Sequence, residues 1–129
     1  MKQIRLDIVI STFLLILVSV TACARNGNNA VFIYSANKNG NNVDIYKLTT
    51  KDGESNQLTT SEASDINPKW SPDKSAIAFL SDRNNQNMSL YIMDPDGETE
   101  RSLFGGIGEI QDYSWGPDSK RIAVEVNGG

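Results

Sequence analysis

Cys23 is the one cysteine among 129 residues, and the sequence contains no histidine at all. Those two counts bound the chemistry available. Without histidine, no Ser-His-Asp or Cys-His relay can be assembled from this chain, and no histidine-ligated zinc site can form. Carboxylates are the remaining reactive groups. Asp94-Pro95-Asp96-Gly97-Glu98 begins like a D-x-D-G calcium loop. The twelfth position counted from Asp94 is Gly105, however, where a bidentate glutamate is required. An Asp-Gly pair between two apolar runs reads instead as a hairpin turn, because it tolerates positive φ. Asp73 and Asp82-Arg83 read as turn residues and inter-strand ion pairs, worth about 1 kcal/mol or less each when exposed. No catalytic residue, bound metal or cofactor is expected from these patterns.

Cys23 does have a chemistry. Lys2 and Arg5 precede an apolar run from Ile8 to Val20, interrupted only by Ser11, Thr12 and Ser19. That run is shorter than the ~20 apolar residues a membrane span needs, and a basic start with a short apolar core is the pattern of an export signal. Val20-Thr21-Ala22-Cys23 resembles the bacterial lipobox, in which the cysteine is acylated on sulfur and becomes the new N-terminus. Cleavage after Ala24 is the competing reading, since Ala22-Cys23-Ala24 has the small-x-small form. Acylation also accounts for an unpaired cysteine in an exported chain. The expected layout is a signal peptide over 1–22, a tether over 23–30 and a folded part over 31–129, exported and held on a membrane through Cys23. Losing Lys2, Arg5 and Asp7 takes the 12 basic and 16 acidic residues to 10 and 15, a net charge of −5. That is the wrong footprint for nucleic acid, which requires a basic face.

The folded part repeats. Trp70 and Trp115, Pro72 and Pro117, and Asp73 and Asp118 are each 45 residues apart. Ile77-Ala78-Phe79 matches Ile122-Ala123-Val124 at the same spacing, and Asp44-Ile45-Tyr46-Lys47-Leu48 matches Ser89-Leu90-Tyr91-Ile92-Met93. Tyr34-Ser35 aligns with Leu80-Ser81, and Asp52-Gly53 with Asp96-Gly97, if single-residue gaps are allowed. Short segments rich in β-branched and aromatic residues, separated by Gly, Pro, Asn and Asp, predict strands. Nothing after Ala24 holds a helical period over ten residues. Four short strands in 40–50 residues is the arithmetic of a propeller blade.

The recurring turns have a mechanism. Ser71-Pro72-Asp73-Lys74 puts proline at the second position of a type I turn, where its fixed φ is already correct, and Gly116-Pro117-Asp118-Ser119 repeats it. Trp70 and Trp115, recurring at the repeat spacing, are expected to pack between blades. The Gly105-Gly106-Ile107-Gly108 run lacks a strand-to-helix context for phosphate and reads as a connection between blades. Asn87-Met88-Ser89 fits a glycosylation acceptor, a match without consequence in a bacterial source.

The stretch carrying Trp70-Ser71-Pro72-Asp73, Ile77-Ala78-Phe79, Ser81-Asp82-Arg83, Leu90-Tyr91-Ile92-Met93 and Asp96-Gly97 resembles the repeat of TolB-like β-propellers. That repeat is also found in the tricorn protease and in the propellers of prolyl-oligopeptidase-type peptidases. The resemblance covers about Ala30 to Val126. It departs at Lys74 and Ser119, where the family places glycine after the Ser-Pro-Asp turn. The expected fold is all-β, an incomplete propeller of two to two and a half four-stranded antiparallel blades: a partial blade over 31–59 lacking its inner strand, a full blade over 68–103 and a partial blade over 112–126.

Blades shield their apolar faces only against neighbours, and about three or more repeats are needed for that. Residues 24–129 alone are therefore expected to self-associate. In function, the resemblance implies a non-catalytic envelope scaffold that binds proteins or peptides. The alternative is the propeller portion of a serine peptidase whose nucleophile elbow and histidine lie outside these residues.

Overall fold

The structure, a computed structural model, describes residues 21–25, 29–38, 40–84, 87–103 and 108–127. The predicted signal peptide up to Val20 lies outside the described residues. The described chain is ten strands and no helix: β1 (Thr21–Arg25), β2 (Asn29–Ala36), β3 (Asp44–Thr49), β4 (Ser55–Gln57), β5 (Asp65–Trp70), β6 (Ile77–Ser81), β7 (Ser89–Met93), β8 (Glu100–Ser102), β9 (Ile110–Trp115) and β10 (Ile122–Val126). They form three antiparallel sheets in simple sequential order, β1-β2-β3-β4, β5-β6-β7-β8 and β9-β10. These are two four-stranded blades and the first half of a third, the architecture expected from the repeat.

The first blade differs from expectation in one respect. Its innermost position, predicted to be empty, is held by β1, which pairs with β2 from Thr21↔Ile33 to Arg25↔Asn29. The segment expected to be signal end and tether is therefore strand in this structure. The register also corrects the repeat alignment. Tyr34 pairs with Tyr46, and Phe79 with Tyr91. Because Tyr46 and Tyr91 are equivalent, Tyr34 corresponds to Phe79 rather than to Leu80, and the 45-residue offset continues through β2 without a gap.

Strand periodicity decides where the core sits. Successive strand residues point to opposite faces, and in β6 both faces are apolar and buried. Ile77 and Phe79 join Tyr91, Met93 and half-buried Trp70 against Ile33, Ile45 and Leu58 of the first blade. Ala78 and Leu80 join Leu90 against Ile110 and Tyr113 of the third, with Trp115, Ile122 and Val124 packed on them. At β6 and β7 the middle blade is thus covered on both faces, while its outer strand β8 is exposed. In β10 the alternation is one-sided: Ile122, Val124 and Val126 are half-buried, while Ala123 and Glu125 are exposed.

Polar groups fasten the second seam. The Tyr113 hydroxyl lies 2.6 Å from the carbonyl of Asn67 and 2.7 Å from that of Ala78, and burial raises its pKa. Lys69 forms an ion pair with Asp112 at 2.7 Å and lies 4.5 Å from the Tyr113 ring centroid. Pro68 sits inside β5, where the register slips between Ile66 and Lys69. A proline cannot donate to the ladder, so the pairing bulges around it.

Candidate functional site

The Ser-Pro-Asp turns are built as the spacing implied. Ser71 donates its hydroxyl to Asp73 at 2.6 Å and accepts from the backbone N–H of Ala76 at 3.0 Å. The Ser71 hydrogen bond and the Ser75 backbone and hydroxyl donors hold the Asp73 carboxyl down at about 2. The Asp118 carboxyl is likewise lowered, first by the backbone N–H of Lys120. Lys74 and Ser119 sit at φ 63° and 57°, the left-handed region that the family's glycine would occupy without strain. The Asp73 N–H donates to Ser119 Oγ at 3.0 Å, so one turn braces the other across the blades.

Asp94-Pro95-Asp96-Gly97 closes a hairpin. The Asp94 carboxylate accepts from the N–H of Glu98 at 2.8 Å, the N–H of Asp96 at 3.2 Å and the hydroxyl of Thr99 at 3.0 Å. Its lowered pKa follows first from the Glu98 bond. Asp96 is paired with Lys47 of the first blade at 2.6 Å. These sequence-singled residues are brought into turns and seams, and none of them meets another in a reactive arrangement. Of the glycine run, only Gly108 lies among the described residues, and so does Asn87 of the acceptor match. Cys23 is on β1, paired with Val31.

A cleft that the motifs did not single out lies where the β2–β3 loop meets the connection from β4 to β5. It measures about 430 Å³ and is lined by Asn41, Asn42, Asp44, Gln57, Thr60, Ser61 and Glu62. Asp44 and Glu62 are its charged groups, and both are acidic. Asp44 is only 4% exposed. Burial, reinforced by the charge of Asp65, raises its pKa. Gln57 Nε2 donates to it at 3.1 Å and Asn42 Nδ2 at 3.3 Å. Asn42 also donates to the carbonyls of Ser61 at 2.6 Å and Ala63 at 2.8 Å, which ties the interblade connection to the first sheet.

Behind the cleft, Ser61 donates to Asp65 at 3.1 Å. Asp65, fully buried, receives Arg83 Nη2 on both oxygens at 3.0 and 2.9 Å. Arg83 also pairs with Glu100 of β8, so one guanidinium spans the blade from its inner to its outer strand. Its Cζ lies 4.5 Å from the Tyr91 centroid and 5.5 Å from that of Phe79. The arrangement offers hydrogen-bond acceptors and negative charge to a polar or cationic group. It contains no nucleophile–base pair. The available sequence signal was Asp44 itself, since the repeat places Ser89 at its equivalent position.

No family model matches the chain. It is 34% identical over 118 residues to a protein of Bacillus subtilis (strain 168) described as the uncharacterized peptidase YuxL, an alignment covering 88% of this chain and 18% of that protein. Putative TolB from Agrobacterium tumefaciens superposes with a TM-score of 0.66 at 22% identity, over 73% of this chain and 33% of that one. The acylaminoacyl peptidase of Pyrococcus horikoshii gives 0.55 at 21% identity, over 83% and 17%. The chain thus spans less than a fifth of the peptidases it resembles and about a third of TolB. The expectation of a non-enzyme is overturned by the sequence relationship to YuxL, itself described as a peptidase. In fold, the chain is a stretch of TolB-like β-propeller, all-β and incomplete, and in sequence it is related to a peptidase.

Proposed function

We propose that these blades are the propeller portion of a peptidase, acting on the binding side of the reaction. The carrying observation is the 34% identity to YuxL across 88% of this chain. With no histidine in the sequence, the blades themselves cannot supply a Ser-His-Asp relay. Their part is to admit and seat the substrate, and the cleft walled by Asp44 and Glu62 provides acceptors for its amide and amino groups. The test is labelling of the polypeptide carrying these blades, in its native cells, with a fluorophosphonate probe for activated serines. The expected result is a labelled serine on a polypeptide containing Trp70-Ser71-Pro72-Asp73, and none within these 129 residues. A polypeptide that carries the blades, takes up no probe and cleaves no peptide overturns the proposal.

Export and acylation at Cys23 remain part of this reading, on the strength of Val20-Thr21-Ala22-Cys23. Cleavage before Cys23 would remove Thr21 and Ala22, two of the five pairs between β1 and β2. Lipidation and full pairing of β1 therefore exclude each other. Labelling with a radioactive fatty acid separates them: incorporation that disappears in Cys23→Ala supports the anchor, and label that persists in that variant sinks it.

A further inference from the structure

One position of the repeat carries two different groups. Asp44 opens β3 and Ser89 opens β7, and both are buried, at 4% and 8% exposure. Ser89 shows that a neutral hydroxyl serves the blade at this place. The carboxylate of Asp44 therefore answers to something other than the fold.

An ionised carboxylate taken out of water requires a cation. Asp65 has one, since Arg83 reaches both of its oxygens. Asp44 receives hydrogen bonds from neutral groups instead, the Thr59 hydroxyl and the Asn42 and Gln57 amides. Among the described residues no lysine or arginine forms an ion pair with it. Burial and the charge of Asp65 raise its pKa, as expected where no cation offsets them. A carboxylate has about four lone-pair positions, so three donors leave room for another. The groups around Asp44 come from the β2–β3 loop, β4 and the β4–β5 connection, all inside the chain.

The cleft above this carboxylate measures about 430 Å³, within the range of roughly 300–1,000 Å³ typical of small-ligand sites. A calcium ion would need about six to eight oxygens. Among the described residues, no group of three or more Asp, Glu, His or Cys is placed to hold a metal. A primary ammonium asks for less. Its three N–H donors are satisfied by one carboxylate and neutral oxygens, and Asn41, Thr60 and Ser61 line the same space.

We propose that the cleft binds a primary ammonium group, with Asp44 as its counterion and exposed Glu62 attracting the cation at the rim. The inference rests on the peptidase reading only for the source of that ammonium, a peptide's free α-amino group or a lysine side chain.

The experiment is isothermal titration calorimetry on the whole polypeptide that carries these blades, native and with Asp44→Ser or Asp44→Asn. The probes are trialanine, N-acetyl-trialanine and an N-acetylated peptide with one lysine. Asp44→Ser installs the residue that the second blade already accommodates, and Asp44→Asn keeps the shape without the charge. N-acetyl-trialanine is expected not to bind. Binding of trialanine identifies the α-amino group as the source, and binding of the lysine peptide identifies the side chain. Each variant is expected to weaken the ammonium probe about tenfold or more. Equal binding of all three probes by the native protein overturns the proposal, and so does binding of none. Ammonium binding that both variants leave unchanged also overturns it, because another site would then be responsible. Fluorophosphonate labelling of the same samples keeps the two readings apart. A labelled polypeptide without preference for an ammonium sinks this inference alone. One that takes up no label and cleaves no peptide, yet binds an ammonium through Asp44, sinks the peptidase reading and leaves the site standing.

Discussion

Trp70 and Trp115 occupy matching seats 45 residues apart, each packed on the core shared with the preceding blade, but only Trp115 has its indole N–H satisfied. Trp115 Nε1 donates to the Lys69 carbonyl of the neighbouring inner strand at 3.1 Å. Trp70 Nε1 is buried and meets no acceptor among the described residues. The difference lies in the neighbour: Trp115 reaches across to β5, whose pairing with β6 is complete at Lys69↔Ala78 and Trp70↔Ile77, whereas the strand inside the first blade is β1, built from unrelated residues.

The two tryptophans should therefore answer differently to phenylalanine. Trp115→Phe gives up a made hydrogen bond, worth about 1 kcal/mol net, and leaves the Lys69 carbonyl bare. Trp70→Phe removes a donor that was already unpaired, so the loss of ring volume is partly offset. Urea midpoints of the two variants should place Trp115→Phe lower. Equal midpoints would show that the indole N–H groups are equivalent in solution.

The turns provide a second asymmetry. Lys74 at φ 63° and Ser119 at φ 57° both pay for left-handed backbone, roughly 1–2 kcal/mol for a residue with a Cβ. Lys74→Gly should raise stability by about 0.5–1 kcal/mol, since the Lys74 ammonium lies a distant 6.0 Å from the Trp70 ring. Ser119→Gly should gain less or nothing, because it also deletes the acceptor for the Asp73 N–H. Thermal midpoints of the two variants check this, and the order Ser119→Gly above Lys74→Gly would contradict it.

How much of this was legible in the residues depends on the range of the contacts involved. Strand identity, the 45-residue period and the interblade seats of Trp70 and Trp115 follow from local pattern, and the structure has them. The alignment of Tyr34 went wrong by one residue because Ser35 and Ser81 are identical in type, while the true equivalence is set by which residue faces Tyr46 or Tyr91 across the strand pair. β1 was hidden because Thr21–Arg25 has none of the Trp, Pro or Asp of the inner-strand motif, and its small residues read as a cleavage site. The cleft was hidden because Asn42 meets Ser61 and Ala63 only after the chain has gone round the sheet.

Asp65 and Arg83 make the most costly polar contact to break. Asp65 is fully buried and Arg83 is its cation, 2.9 Å away with 21% of its side chain exposed. Arg83→Ala leaves a buried carboxylate unpaired, a loss on the order of 3–5 kcal/mol. Arg83→Lys should lose much of the same, because an ammonium cannot hold both Asp65 oxygens and reach Glu100 together. Asp65→Asn in the Arg83→Ala background should recover part of the loss by removing the stranded charge. A double variant no more stable than Arg83→Ala would mean that the pair contributes packing rather than charge compensation.

Gly53 and Gly97 separate backbone strain from crowding. Both have positive φ, 71° and 76°, so alanine at either carries the left-handed cost of about 1 kcal/mol. Around Gly53 the space is open, and Gly53→Ala should cost little beyond that. At Gly97 an added Cβ would stand 2.7 Å from the Leu58 carbonyl oxygen and 3.2 Å from its Cα. Those are backbone atoms of the first blade, so the hairpin of the second blade or the chain at Leu58 must move. Leu58 is 7% exposed and belongs to the core shared by the two blades, and shifting it opens that seam. Gly97→Ala should therefore cost clearly more than Gly53→Ala in urea unfolding, and its effect should appear in the fluorescence of Trp70, which packs on the same cluster. If the two alanine variants unfold together, the hairpin of the second blade does not press on the first in solution, and the seam is looser than the packing of Ile77, Phe79 and Met93 implies.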